Sequence, residues 1–188
     1  MKSIFLSMIR DDLLGFPEPE LPAGYSVRLW RPGDEEAWIS VQRASDTLSE
    51  ITRATFEENF GGDLAAMETR SFFLVSPDGV DVGSITAWHG GGERDGDWGR
   101  EWGRIHWVAI VPLHQGRGLA KPMMAVAMRR LAESHGKAYL TTSSARLPAL
   151  KVYLDFGFRP NMSEKRAAEG WREVKGELHH PALEEMDL

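Results

Sequence analysis

Residues 103–121 read Gly103-Arg104-Ile105-His106-Trp107-Val108-Ala109-Ile110-Val111-Pro112-Leu113-His114-Gln115-Gly116-Arg117-Gly118-Leu119-Ala120-Lys121. Arg104 to Val111 has the composition of a central strand. Strict alternation predicts Ile105, Trp107, Ala109 and Val111 on one face and Arg104, His106, Val108 and Ile110 on the other. Its apolar second half suits a strand covered on both sides. Pro112 ends it, because proline has no amide for a ladder. A turn with two glycines follows, Gln115-Gly116-Arg117-Gly118-Leu119-Ala120, and then a long apolar, Met-rich segment. Strand, glycine turn and helix form a phosphate cradle in outline: the glycines relax the backbone, and amides at the helix start point toward an anion. The turn is not a Walker A loop, since no Gly-Lys-Ser/Thr follows. It is not G-x-G-x-x-G either, since Lys121 stands where the third glycine would be. On spacing alone, an anion cradle and a plain strand-to-helix turn both satisfy the pattern.

Downstream, Leu119, Met123, Val126, Ala127 and Leu131 make one helical stripe, closed by His135-Gly136. Lys137 to Ser143 reads as another strand. Pro148 starts a helix that Gly157 stops, with Ala149, Tyr153 and Phe156 on one face. Phe158 begins a short strand, and Trp171 to Leu178 is expected to be the last one. Upstream, Tyr25 to Trp30 alternates like a strand. Asp34 precedes a helix over Glu35 to Ala44 as its N-cap, and Arg53 to Phe60 forms a second helix before Gly61-Gly62. Ser71 to Ser76 and Val80 to Trp88 flank Pro77-Asp78-Gly79 as a hairpin. His89 to Gly103 is glycine-rich, either a plain connection or a flap over a substrate mouth.

The order predicts one α/β domain over residues 25–188, a mixed sheet flanked by helices. Residues 1–24, broken by Pro17, Pro19 and Pro22, are expected to be an irregular leader. It would strap over the core or, alternatively, make a homodimer contact.

The chain has 188 residues, enough for one domain with a full core. A formal net charge of -6 argues against nucleic acid as a general partner. There is no cysteine, which removes disulfides, a thiolate nucleophile and Cys-ligated zinc. No apolar run reaches the roughly 20 residues of a membrane span, and the N-terminus turns acidic too soon for a signal peptide. A cytoplasmic protein without membrane contact is expected.

Two motifs together resemble the GNAT-type N-acetyltransferases. Val108-Ala109-Ile110 followed by Gln115-Gly116-Arg117-Gly118-Leu119-Ala120 is similar to their Q/R-x-x-G-x-G/A motif. Ala149-Leu150-Lys151-Val152-Tyr153 followed by Phe156-Gly157-Phe158 is similar to A-x-x-x-Y-x-x-x-G-F. The resemblance implies a mostly antiparallel mixed sheet with a splay between the central strand and the Lys137–Ser143 strand. It implies acetyl-CoA as cosubstrate and a primary amine of a small molecule or peptide as acceptor, with no metal. The backbone of Val108, Ala109 and Ile110 would pair with the pantetheine arm. Amides from Gly116 through Arg117, Gly118, Leu119 and Ala120 to Lys121 would hold the diphosphate, with Gln115 opening the motif. Tyr153 would be the general acid. Arg146 departs from the asparagine often found there; it would reach a CoA phosphate or close off the usual hydrogen bond.

An amine attacks a thioester only when neutral. With a pKa of about 10.4 it is ionised by some three units at pH 7, a cost of roughly 4–5 kcal/mol. A base therefore matters. His106, two residues before Val108, is the first choice, with a core histidine as the bland alternative; Glu101 is second. Trp38, Trp88, Trp98 and Trp102 are pocket or packing residues. His179-His180 with Glu184 and Glu185 lacks the convergent ligands of a metal site. The alternative to an enzyme is a non-catalytic acyl-CoA-binding module of the same fold.

Overall fold

In the computed structural model the elements are, in chain order, β1 Phe5–Arg10, β2 Ser26–Leu29, α1 Glu35–Ser45, α2 Arg53–Phe60, α3 Leu64–Arg70, β3 Ser71–Val75, β4 Asp81–His89, β5 Trp102–Ile110, α4 Ala120–Ala132, β6 Lys137–Ser143, α5 Leu147–Asp155, β7 Arg159–Asn161, α6 Ala167–Glu177 and α7 Pro181–Glu184. The structure describes residues 3–89, 98–99, 101–184 and 186; most of the glycine-rich stretch read as a connection or flap, and Glu185, lie outside them. The seven strands form one sheet in the order β2-β3-β4-β5-β6-β1-β7. Among the described residues only β5 and β6 run parallel; every other neighbouring pair is antiparallel.

Helices cover both faces. On one, α4, α5 and α6 bury Met123, Met128, Leu131, Leu154 and Trp171 against Leu6, Met8, Ile105 and Leu140. On the other, α1 and α2 bring Trp38, Phe56 and Phe60 onto Phe73, Trp88 and Ala109. Thr52 and Thr55 form a reciprocal capping box at the start of α2. Asp34 precedes α1, but its carboxylate makes no cap bond to the helix; it pairs with Arg28 and accepts the Arg31 amide at 2.8 Å.

Two sequence expectations are overturned. The leader is not irregular at Phe5–Arg10, which inserts between β6 and β7, from Phe5↔Ser143 to Arg10↔Ala138. Ile4, Leu6 and Met8 are buried in strand alternation, and the leader's prolines all lie beyond the ladder. Conversely, Trp171 to Leu178 is not a strand: Trp171 to Glu177 belong to α6, and Leu178 is its C-cap. Ala167, Gly170, Trp171 and Val174 are buried at helical spacing, and a Cβ on Gly170 would come within 2.8 Å of Leu6, so the helix packs close on β1.

The third correction lies in β5. Ser84 pairs with Ala109 and Thr86 with His106, so Trp107 and Val108 together oppose the single residue Ile85. This is a β-bulge, and Trp107 takes a left-handed φ of 49°. The extra residue resets the alternation. Ile105, Val108 and Ile110 pack on the α4 side, whereas Trp107 and Ala109 pack on the α1–α2 side. Pairing between β5 and β6 stops at Ile105↔Leu140, although β5 runs on to Ile110 and β6 to Ser143. The strands are splayed beyond that point, as the resemblance implied.

Candidate active site

Val108, Ala109 and Ile110 lie on the unpaired, β6-facing edge of the splayed β5, so their backbone groups on that side are not used by the sheet. Gln115 closes the end of the strand from within: its Nε2 donates to the Ile110 carbonyl at 2.8 Å. The turn that follows is exposed and takes left-handed geometry at Gly116 (φ 72°) and Gly118 (φ 77°). A Cβ at either glycine would meet nothing within 4 Å, so glycine is needed for the backbone angle and the space above is open. Leu119 is buried beneath the turn, and Ala120 begins the 13-residue α4. The first amides of that helix have no intrahelical acceptor, and the helix dipole adds positive potential at that end.

The cationic side chains here are tied down. Arg117 reaches the Leu113 carbonyl at 3.1 Å and the Tyr25 hydroxyl at 3.4 Å, and Tyr25 also bonds His114 Nδ1 at 2.8 Å. Lys121 pairs with Asp155 at 3.0 Å. Burial would raise the Asp155 pKa, but hydrogen bonds from Lys121, Lys151 and His180 outweigh it and hold the carboxyl at about 2. Arg146 pairs with Asp46, at the end of α1, at 2.7 Å.

His106 is 8% exposed, with Phe60 edge-on at 5.5 Å. Its Nε2 lies 3.2 Å from Asn59 Oδ1. Asn59 Nδ2 donates to the Thr55 carbonyl at 2.7 Å, which turns Oδ1 toward the imidazole. Nε2 therefore carries the hydrogen and donates, leaving Nδ1 with the lone pair. Burial, reinforced by the Arg104 charge, pushes the imidazole well below its ordinary pKa, so it is neutral at pH 7. Tyr153 belongs to the opposite face, in the α4-side core, 7% exposed and edge-on to Phe158 at 6.4 Å. Burial pushes its phenol up to about 12, against the Arg146 charge.

Not every sequence candidate is gathered here. Glu101 sits at the far, N-terminal end of β5, paired with Lys137 at 3.3 Å. Trp38 and Trp88 are core residues, and Trp98 stacks on Tyr139 at 4.5 Å, with Trp102 beside it. His180 bonds Asp155 at 3.1 Å. Asn59, Gln42 and Asp46 carry no motif, and their parts emerge only from the fold.

The family model for the acetyltransferase (GNAT) family matches residues 28–158. The chain belongs to the GNAT acetyltransferase family. Its relatives within the family include a mycothiol acetyltransferase of Acidothermus cellulolyticus, 30% identical over 178 residues, covering 84% of this chain and 52% of the relative. One from Cellulomonas flavigena is 34% identical over 151 residues, covering 74% of this chain and 42% of the relative. This GNAT chain thus spans about half the length of the curated relatives it matches. A GCN5-related N-acetyltransferase from Sphaerobacter thermophilus shares the fold, with a TM-score of 0.68 at 20% identity, covering 84% of this chain and 48% of that one. No helix among the described residues is long and apolar enough to cross a membrane.

Proposed function

We propose that this GNAT chain is an acetyl-CoA-dependent N-acetyltransferase that moves the acetyl group to a primary amine of a small molecule. The observation that carries this reading is the splay beyond Ile105↔Leu140, continuous with an open glycine turn and the start of α4. A diphosphate on the amides of Gly116 to Lys121 would direct the pantetheine arm along Val108 to Ile110. The arm would add to the free strand edge, and the thioester would lie between β5 and β6. Because Arg117 and Lys121 are engaged by protein groups, the cradle would rely mainly on main-chain amides.

His106 is neutral and has its Nδ1 lone pair open to a proton, directly or through water. Its lowered basicity makes it a weak base, suited to passing the ammonium proton on rather than keeping it. The amine attacks the carbonyl carbon, the C–S bond breaks, and the electron pair leaves on sulfur. Tyr153, protonated at neutral pH, would donate to that thiolate. A thiol of pKa about 8.5 is already a fair leaving group, so the phenol assists rather than enables. The relatives named mycothiol acetyltransferases favour a small-molecule acceptor over a peptide.

A thiol-release assay with acetyl-CoA and a panel of amines tests the reading. Amine-dependent CoA release is expected. Tight acetyl-CoA binding with no release for any amine would instead support a non-catalytic acyl-CoA-binding module.

A further inference from the structure

Thr142 lies on β6 two residues beyond Leu140, where pairing with β5 ends. Its other flank is occupied, because β1 runs beside it with Leu6 directly opposite. Residues opposite one another in an antiparallel pair share a face of the sheet. Leu6 belongs to the core under α4, α5 and α6. Thr142 therefore stands on the same face as Tyr153, which enters that core from α5. At about 3.3 Å per residue it is roughly 7 Å past the last β5–β6 pair, alongside the splay.

Thr142 is 6% exposed, and its Oγ1 is buried with no hydrogen-bond partner among the described residues. The hydroxyls on either side of it along the strand are engaged. Thr141 Oγ1 accepts from Arg104 Nη2 at 3.2 Å, and Ser143 Oγ bonds Ser3 Oγ at 2.8 Å. A buried hydroxyl left unmatched costs stability, and native structures carry few of them. A valine would fill nearly the same space without that cost.

On the reading that acetyl-CoA lies in this splay, we infer that Thr142 is a second hydroxyl for the leaving sulfur, acting beside Tyr153. The pantetheine amides would be satisfied in the plane of the sheet by the free edge at Val108 to Ile110. Strand side chains stand out of that plane. The sulfur is no amide and gains nothing from the ladder. It becomes charged when the amine attacks, the C–S bond breaks and the electron pair leaves on sulfur. Tyr153 gives it a proton. Thr142, an alcohol and a far weaker acid than a phenol, keeps its proton and donates a hydrogen bond. Such a bond is stronger to a thiolate than to a neutral thioester sulfur, so it favours the departing group over the bound substrate. The hydroxyl that is unmatched in the free protein is matched late in the reaction.

The test compares the native chain with Thr142→Val and Thr142→Ser, using the best amine of the CoA-release panel. Thr142→Val should lower kcat at least about tenfold, the size of one hydrogen bond to a charged group, while the acetyl-CoA dissociation constant stays within about threefold. Thr142→Ser should restore most of the loss. In thermal melts the free Thr142→Val chain should unfold at no lower temperature than the native one, since the hydroxyl it lacks had no partner. An unchanged kcat, no recovery in Thr142→Ser, or a kcat loss matched by weaker acetyl-CoA binding or a lower melting temperature overturns the inference. If no amine is turned over, the acetyl-transfer reading is what fails, and calorimetry near pH 9, where a thiol of pKa about 8.5 is mostly ionised, decides for Thr142. A preference for CoA over desulfo-CoA that Thr142→Val loses upholds a hydroxyl that binds the thiolate. An equal ratio in both chains, or no binding of either ligand, overturns it.

Discussion

Gln42, buried on α1, donates from Nε2 to the carbonyl of Trp107 at 2.9 Å. The same amide also reaches Ser84 Oγ at 2.8 Å. Trp107 is the left-handed residue of the β5 bulge, and a bulge leaves a carbonyl outside the regular ladder. Gln42 supplies that carbonyl's partner from the neighbouring layer. It holds the bulge in place and, through it, the direction in which Val108 to Ile110 depart from β6.

Gln42→Leu keeps the volume but removes both donors, leaving two buried groups unpaired. It should cost about 1–3 kcal/mol of unfolding free energy in urea denaturation and weaken acetyl-CoA binding. An unchanged midpoint and unchanged affinity would mean the bulge stands without this bond.

Tyr153→Phe removes a phenol that burial keeps protonated up to about pH 12. Turnover should fall by about tenfold or more, within the usual span for general acid–base groups, while the acetyl-CoA dissociation constant changes little. Equal turnover in steady-state assays would reduce the tyrosine to a packing role.

His106→Gln should show two effects. With its base gone, the rate should rise more steeply with pH, because only amine that is already neutral can react. Stability should also change. The native imidazole is held below its ordinary pKa, so as pH falls through about 6.5 the unfolded chain takes up the proton first and the native state loses stability. The variant should lose that acid sensitivity in thermal melts as pH falls below about 6.5. A parallel pH profile in both measurements would contradict the account of this residue.

Asp155→Asn releases Lys121, Lys151 and His180 together. With the native carboxyl at about 2, its stabilisation is present above about pH 4 and is lost as pH falls toward 2. At neutral pH the variant should lose about 1 kcal/mol after allowance for solvent screening, and near pH 2 the difference should vanish. Chemical denaturation at the two pH values checks this.

Sequence patterns made the glycine turn, the hairpin around Pro77-Asp78-Gly79 and both motif helices readable, because each depends on neighbours in the chain. The bulge did not show, since nothing local distinguishes Trp107 from an alternating strand residue; Ser84, Ile85 and Gln42 impose it from other elements. The strand at Phe5–Arg10 was masked by the prolines that follow it, although Ile4, Leu6 and Met8 carry its alternation. Trp171 to Leu178 was misread because the period-four spacing of Gly170, Trp171 and Val174 relies on a glycine that only the close approach of Leu6 explains. In the candidate site, Tyr153 and the cradle followed from motifs. Asn59 and Asp46, the partners of His106 and Arg146, come from helices that no motif marks.

The central claim is that main-chain amides around Arg117 grip a diphosphate. Titration calorimetry of acetyl-CoA into the native chain and into Gly118→Asp tests it most directly. The account predicts one-to-one binding, displaced by free CoA, with affinity at least about tenfold weaker in the variant, where a carboxylate and a strained φ intrude on the cradle. No heat and no competition at millimolar cofactor, or equal affinity in the two proteins, would contradict it.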